Sequence, residues 1–541
     1  VLPLFFKSNL SMKIKNLALS ALFIAGSIAL SAQGPAENWH HLDKAKDGVQ
    51  GMSTIKAYDE LLKGKTSQTV IVAVIDSGIE EVHDDLKNVM WVNEDEIPGN
   101  GIDDDKNGYI DDIHGWNFIG GANGEVGHDN LEATRLLRKY TAQFGDMTKE
   151  QVSKKDMADF ERYQKIKGEV EEAIANASPM RERYTEILRV TNLIIERLDG
   201  KEATVENIEA LGLVGEGVEE TVAIVSRNVG AGASLEALAE NLQGGVDYFG
   251  GQLDYYYNTD FDPRYIVGDD YSNPKEKGYG NNTYEGPDAS HGTHVGGIIG
   301  AERNNGIGMD GVADNVRIMT IRAVPDGDER DKDVAAAIRY AVDNGATVVN
   351  MSFGKGYSWD KEIVNKAVKY AMKKDVLLVH AAGNSSQDND VADNFPNDSY
   401  KTKKPALKAS NWLEIGALDW KGEAKSPARF SNYGSNNVDV FAPGVDIYAT
   451  WVDNGYKAIS GTSMASPACA GVAAVLRGYF PSLSAEDVRE IIMESSAKLD
   501  LEVLVPGESD GGKTVPFADL SVSGGVVNMY NAVQMAMERT K

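Results

Sequence analysis

The chain is organised around residues 460–467, which read Ser-Gly-Thr-Ser-Met-Ala-Ser-Pro. A run of small and apolar residues follows at 468–476 and predicts a helix that approaches its neighbours closely. Ser463 therefore stands where a loop becomes a helix, near the free N–H groups of the first helical turn. Those donors suit an oxygen that becomes negative during acyl transfer. The alternative is that Thr462 or Ser463 is only the N-cap of the helix.

A serine nucleophile needs a base and a group that orients the base, and two other stretches offer them. Residues 289–300 read Ala-Ser-His-Gly-Thr-His-Val-Gly-Gly-Ile-Ile-Gly, and His291 stands at the start of this predicted helix. Six consecutive apolar residues at 70–75 predict a strand buried on both faces, and Asp76 follows it directly. Open α/β sheets place catalytic groups at the carboxyl ends of such strands, although a lone Asp there is also common as a turn residue.

These three stretches, in the order Asp, His, Ser, resemble the subtilisin-like serine proteases, or subtilases. The resemblance covers 51–127 and 258–532, with a large interruption between the two parts. It implies that Asp76 orients His291, which is general base and then general acid, and that Ser463 is the nucleophile.

The resemblance also implies the rest of the site. Asn384 ends an Ala-Ala-Gly-Asn stretch and would donate its side-chain N–H to the oxyanion, together with the backbone N–H of Ser463. A nearby edge segment would pair with extended substrate. The primary specificity pocket would be lined by Ser352, Phe353 and Gly354.

Strand and helix periods alternate between 316 and 381, which requires a parallel sheet with right-handed crossovers. We therefore expect an α/β, subtilisin-like three-layer fold: a mostly parallel sheet flanked by helices, plus an inserted all-helical subdomain. The chain of 541 residues exceeds one ordinary domain. The predicted parts are a signal peptide at 1–32, a catalytic domain at 37–128 and 258–541, and a helical insertion at 129–257.

The insertion shows apolar residues at three- and four-residue steps over 157–174, and the pattern resumes after Pro179 over 184–198. This predicts two helical stretches within a small bundle. The apolar stripes favour a core more than a partner site. As a hypothesis, the insertion at 129–257 restricts substrate access or binds a partner.

Two groups of oxygen-bearing residues suit structural Ca²⁺. The resemblance implies one site at Asp85 and Asn305, completed by carbonyls of the loop at 303–309. The alternative there is an ordinary glycine turn.

The second group lies at 103–112, where oxygen side chains alternate around a glycine as in calcium loops. His114 takes the place of the final Glu of an EF-hand, so the motif is incomplete. The alternative is an acidic, solvated turn. The predicted ligands are Asp103, Asp105, Asn107 and Asp111.

The net charge and the cysteine content exclude some classes of partner and of covalent cross-link. A formal net charge of −28 and a pI of about 4.7 argue against nucleic acid or an anionic membrane as partners. The sole cysteine, Cys469, excludes an intrachain disulfide and is expected to be buried in the helix after Ser463.

The start of the chain predicts export. A basic start at Met12 and an apolar run at 17–30 are typical of a signal peptide, and the run is short for a membrane span. We therefore expect a periplasmic or extracellular protein with no stable membrane span when mature; an uncleaved anchor is the alternative. The polar segment at 37–67 is too short for the folded pro-domain of many subtilases, and we expect it to dock on the mature domain.

The sequence therefore predicts a secreted serine endopeptidase that hydrolyses proteins or peptides through an acyl-enzyme intermediate. The alternative is a binding or scaffold protein on a subtilase fold that uses the helical insertion, with vestigial catalysis. An α/β-hydrolase esterase is excluded because Ser463 lacks the G-x-S-x-G elbow and the order Asp, His, Ser is wrong for that fold.

Overall fold

The structure is a computed structural model, and it describes residues 34–215, 217–400 and 407–541. The predicted signal peptide at 1–32 lies outside the described residues. None of the described helices combines the length and hydropathy needed to cross a bilayer.

The chain divides into two compact units. The first, here named the helical unit, contains residues 137–259. The second, here named the sheet unit, contains residues 35–136 and 260–541. The helices are α1 (Lys44–Asp47), α2 (Thr54–Ala57), α3 (Glu132–Phe144), α4 (Met157–Leu198), α5 (Val205–Glu209), α6 (Val218–Gly230), α7 (Leu235–Gly251), α8 (Ser290–Gly300), α9 (Asp331–Asp343), α10 (Lys361–Lys373), α11 (Thr462–Tyr479), α12 (Ala485–Glu494) and α13 (Met529–Arg539).

The strands of the sheet unit are, in chain order, β1 (Val70–Asp76), β2 (Gly115–Asn117), β3 (Gly120–Gly121), β4 (Gly124–Glu125), β5 (Val316–Arg322), β6 (Val348–Met351), β7 (Leu377–Ala381), β8 (Ser399–Tyr400), β9 (Leu407–Lys408), β10 (Trp412–Leu418), β11 (Val440–Pro443), β12 (Ile447–Trp451), β13 (Gly455–Ile459), β14 (Ala497–Lys498), β15 (Glu502–Leu504), β16 (Thr514–Pro516) and β17 (Gly525–Val526). Nine of them form one sheet in the order β14-β17-β11-β10-β7-β6-β1-β5-β2. Every neighbouring pair in this sheet is parallel except β14 with β17. The α/β fold with a mostly parallel sheet is therefore confirmed.

The position of β1 in the centre of the sheet explains why residues 70–75 are all apolar. Alternate side chains of a strand point to opposite faces, and here both faces are covered. Val72 and Val74 join a core that contains residues of α8 and α11, whereas Ala73 and Ile75 join a second core with residues of α9 and α10. Helix layers therefore cover both faces of the sheet, and Asp76, at the carboxyl end of β1, is itself buried.

The segment at 37–67 is part of the sheet unit rather than an element docked on its outside. Trp39 and Met52 are fully buried and belong to the larger core of the unit. The Trp39 indole N–H also donates to the carbonyl of Val445, 3.1 Å away. Burial of this indole fixes the segment in place before β1 begins.

In the helical unit, α4 is one continuous helix of 42 residues with Pro179 inside it, so the predicted separation into two stretches is wrong. A proline removes one helical hydrogen bond, but packing along the helix outweighs that local cost. Ile187, Val190 and Ile194 on the second half of α4 are buried in a core with residues of α6 and α7. The apolar stripe of this half is therefore a core face.

Candidate active site

Three elements of the sheet unit bring the candidate residues to one place. Asp76 is the last residue of β1, His291 lies in the first turn of α8, and Ser463 lies in the first turn of α11. The close approach of α8 to the strand end requires glycine at 292, because a Cβ there would lie 2.1 Å from the carbonyl oxygen of Gly78. All three side chains line a cavity of about 810 Å³.

The contact between Asp76 and His291 is short and directed. His291 Nδ1 lies 2.7 Å from Asp76 Oδ1, which also accepts the N–H of Ser77 at 2.8 Å. Burial disfavours the charged imidazole, but the carboxylates of Asp76 and Asp288 outweigh it and raise the pKa of His291 above its ordinary 6.5. The bond fixes Nδ1 as the protonated nitrogen, which leaves Nε2 available as a base.

Ser463 is half-buried, and its hydroxyl donates to the carbonyl of Ser352 at 3.2 Å. The Ser352 hydroxyl donates in return to the carbonyl of Ser463 at 2.9 Å. These two contacts fix the end of β6 against the start of α11. In this arrangement the Ser463 hydroxyl donates to a backbone carbonyl rather than to His291.

Asn384 follows β7 and is held by its oxygen. Its Oδ1 accepts both the backbone N–H and the hydroxyl of Thr462, each at 2.9 Å. The Nδ2 of Asn384 therefore faces away from Thr462, and within the described part of the chain it bonds to no residue. Like Ser463, Asn384 lines the cavity. The side-chain N–H of Asn384 and the backbone N–H of Ser463 are the donors that could serve one oxygen here.

The predicted pocket residues join the predicted catalytic residues in this cavity, which Ser352, Phe353 and Gly354 also line. They follow β6, the neighbour of β1 in the sheet. Parallel strands present their carboxyl ends at one edge, so the loops after β1, β6 and β7 converge there. The fold thus gathers side chains that are almost 400 residues apart, from Asp76 to Ser463.

A family model described as "Subtilase family" matches residues 67–518. The chain belongs to the subtilase family. One relative, "Thermophilic serine proteinase" from Bacillus sp. (strain AK1), is 39% identical over 246 residues, which are 45% of this chain and 54% of that protein. "Thermitase" from Thermoactinomyces vulgaris is 36% identical over 210 residues, 39% of this chain and 68% of that protein.

This subtilase spans about half the length of the first relatives that it matches. A solved structure, "Crystal structure of a cold adapted subtilisin-like serine proteinase", is 30% identical, with a TM-score of 0.33 over 43% of this chain and 76% of that one.

The first predicted calcium pair of this subtilase lies together. Asn305 Nδ2 is 2.6 Å from Oδ1 of Asp85, a fully buried carboxylate. The other oxygen of Asp85 accepts the N–H of Met309 at 3.1 Å and the hydroxyl of Tyr456 at 3.2 Å. The predicted ligand of Asn305 was its side-chain oxygen, but here the amide nitrogen faces Asp85 and the oxygen accepts the N–H of Ile307 at 3.1 Å. Both oxygens of Asp85 therefore accept hydrogen bonds from the chain.

The second predicted group is rearranged. Asp103 accepts the N–H groups of Asn107 and Gly108, each at 3.0 Å, and so stabilises a turn. Asp111 does the same for Asn100 and Gly101. Two of the four predicted ligands thus bind backbone within the loop.

Asp105 instead lies with Glu96 and Asp112, and one carboxylate oxygen from each is within 4.8 Å of the others. The amide nitrogen of Asn107 donates to Asp105 and Asp112. Burial, the largest cause, raises the pKa of Asp112 to about 6. The motif spacing missed Glu96 because that residue precedes the loop; the acidic run at 94–96 is the signal that could have found it.

The sequence also provided no prediction of a buried ionic network beside the cavity. Lys355 is buried and lies 2.8 Å from both Glu132 and Asp331. Glu132 also pairs with Arg135 at 2.9 Å. These residues come from separate loops and helices, and the first turn of α3 had been assigned to the insertion. Their charges anchor the start of α3 within the sheet unit.

Proposed function

We propose that this subtilase is a serine endopeptidase that hydrolyses peptide bonds of proteins or peptides. The observation that carries the proposal is the 2.7 Å contact between His291 Nδ1 and Asp76 Oδ1, at the edge of a cavity that Ser463 and Asn384 also line. The relative from Bacillus sp. (strain AK1) is named a serine proteinase, which supports the same chemistry.

In the proposed reaction, His291 Nε2 takes the proton of the Ser463 hydroxyl as Oγ attacks the substrate carbonyl. Asp76 holds the imidazole and stabilises the cation that forms. The tetrahedral oxyanion accepts hydrogen bonds from Asn384 Nδ2 and the backbone N–H of Ser463. His291 then gives the proton to the leaving amine, and water hydrolyses the acyl-enzyme by the reverse roles.

The first test is labelling of the full chain with a fluorophosphonate probe, with Ser463→Ala as the control. Labelling that the control abolishes is expected, because only an activated serine reacts with the probe. Wild-type protein that remains folded but unlabelled would refute the proposal and favour a binding protein on this fold. Asp76→Asn tests the orienting role: labelling should slow sharply while the fold is retained.

We also propose structural Ca²⁺, at the Asp85–Asn305 pair and at the cluster of Glu96, Asp105 and Asp112. Carboxylate, amide and carbonyl oxygens are calcium ligands. Three carboxylates with oxygens within 4.8 Å repel one another, and a divalent cation relieves that repulsion.

Calcium titration by calorimetry and thermal unfolding with and without chelator test these sites. Asp105→Asn should weaken binding and remove part of the chelator-sensitive stability. Asp510→Asn is the matched control, because it removes one exposed carboxylate from a different loop. No heat of binding and no chelator effect would rule out both sites.

Export and a role for the helical unit complete the proposal. The apolar run at 17–30 supports export to the periplasm or the exterior. The helical unit restricts substrate access or binds a partner. Deletion of 137–259 tests this role and keeps Glu132 and Arg135, which the ionic network requires. Unchanged cleavage specificity and unchanged partner capture would contradict it.

A further inference from the structure

Asn394 lines the cavity beside the predicted specificity pocket. It is half-buried, and it lies so close to Gly354 that a Cβ at that position would be 2.8 Å from Asn394 Oδ1. Gly354 belongs to the segment that begins with Ser352, whose backbone contacts Ser463. Asn394 is therefore placed to meet the substrate side chain next to the reacting carbonyl.

The orientation of the Asn394 amide is determined by its neighbours. Its Nδ2 donates to the carbonyl of Ala382 at 3.1 Å and to Glu414 Oε1 at 3.3 Å. Both partners are acceptors, so the nitrogen must point at them and the oxygen must point away. Within the described residues, no donor bonds to Asn394 Oδ1. The side chain thus offers an acceptor to the cavity.

A buried pair beneath the cavity maintains this orientation. Glu414 lies on β10 with its carboxylate 2.9 Å from Nδ1 of His380 on β7, and both residues are buried. The indole N–H of Trp412 donates to the same carboxylate at 2.8 Å. Glu414 is therefore held where it accepts the Asn394 amide. His380 and Glu414 are positioning residues for Asn394.

Carboxylates predominate among the charged residues that line the cavity. Among the described lining residues, the exposed carboxylates are Asp288, Asp326 and Asp393, of which Asp326 lies 2.8 Å from the ring of His128. The two lining cations, Arg322 and Lys355, are buried and bonded to groups of the chain. A cleft with this arrangement attracts cations and disfavours acidic side chains.

We infer that the cleft selects a positively charged side chain, lysine or arginine, in the substrate residue that precedes the cleaved bond. Asn394 Oδ1 accepts a hydrogen bond from the ammonium or guanidinium group, and Asp393 supplies the opposite charge. This inference rests on the proposed function, because it names the substrate class of the same site. Asn394 is then a specificity-determining residue.

The test compares two peptides that differ only before the cleaved bond, one with lysine and one with norleucine. The side chains have similar length, so the ratio of their kcat/KM values isolates the charge. We expect the wild-type ratio to exceed about tenfold at low salt and to fall as salt is added, because salt screens exposed charges.

Asn394→Leu and Asp393→Asn should each lower the lysine-to-norleucine ratio, by about tenfold and about threefold. Asp393 is exposed, so its substitution tests the inference even if the Leu variant does not fold. Asp510→Asn, which changes the net charge equally outside the cavity lining, should leave the ratio unchanged. A fall of the same size in this control would overturn the inference.

The outcomes separate this inference from the proposed function. Probe labelling with equal cleavage of both peptides, or with preference for norleucine, would overturn the inference and leave the protease activity standing. If the chain neither labels nor cleaves, the proposed function fails. In that case, binding of product peptides ending in lysine or norleucine to Ser463→Ala decides the inference, and equal affinity would overturn it.

Discussion

Removal of the Asn384 side chain is the sharpest test of the candidate oxyanion site. Two donors of Thr462 hold Asn384 Oδ1 at 2.9 Å, so the geometry of Nδ2 is fixed before substrate arrives. Such a donor acts on charge that develops only in the transition state. If Asn384 has the proposed role, Asn384→Ala should therefore lower kcat by about 10²- to 10³-fold, or about 2.7–4 kcal/mol, the loss typical for removal of one oxyanion-hole donor.

A second substitution tests whether the contacts that hold Asn384 Oδ1 affect kcat. Thr462→Val removes the hydroxyl that donates to Asn384 Oδ1 and keeps the backbone donor, so one neutral hydrogen bond to Asn384, of about 1 kcal/mol, is lost. It also removes the acceptor of the Gly383 N–H, so urea unfolding must show that the fold is retained. The expected effect is a decrease in kcat of about fivefold. Thr462→Ser retains the hydroxyl and is the matched control, which should lose less activity than the Val variant.

Steady-state kinetics on one peptide, together with urea unfolding of each variant, provide the measurement. The reasoning requires a loss in kcat with KM nearly constant, because the ground-state carbonyl makes little use of the donor. It is refuted if Asn384→Ala keeps kcat within about threefold of wild type, or if the loss falls wholly on KM.

Three further changes test the electrostatics. Asp76 raises the pKa of His291, and catalysis needs the neutral ring, so kcat/KM should fall as the pH is lowered through a value above 6.5. Asp76→Asn should move this acidic limb of the pH profile to lower pH. Burial lowers the pKa values of His41 and His294 to about 3 and about 4. Both rings are neutral in the folded state, whereas in the unfolded state each takes up a proton as the pH falls below about 6.5. The free energy of unfolding is therefore unaffected by these rings above pH 6.5, and at pH 5.5 each ring lowers it by about 1.4 kcal/mol. Urea unfolding at pH 7.5 and 5.5 measures this loss, and equal stability at the two pH values would contradict the prediction. Lys355→Met removes the cation beside the buried carboxylate of Asp331 and leaves Glu132 with Arg135 alone, so it should destabilise the fold by about 3–5 kcal/mol in the same assay.

The parts of the fold that could be predicted are those whose cause is local in sequence. The apolar run before Asp76 requires a strand buried on both faces, and the small residues after Ser463 require a closely packed helix. Loops at the ends of parallel strands meet at one edge, which is why three distant stretches could be assigned to one cavity. The roles of those residues remain predictions for the experiments above.

What could not be predicted depends on contacts between distant parts of the chain. Pro179 signals a break by its own chemistry, but buried residues on α4 keep the helix continuous. The partners of Lys355 come from positions 132 and 331, and no spacing rule links them. Asn394 has no motif, and its orientation is determined by Glu414 on another strand.

The placement of β1 in the sheet determines when this strand can pair during synthesis. β1 ends at Asp76, but its neighbours β5 and β6 begin at Val316 and Val348. At about 5–20 residues per second, ribosomes need on the order of 10–50 s to synthesise the interval before β5. The helical unit is complete within that time, while the apolar strand β1 has neither of its two sheet neighbours to pair with. Chaperones that shield an unpaired strand during synthesis should therefore raise the yield of this protein.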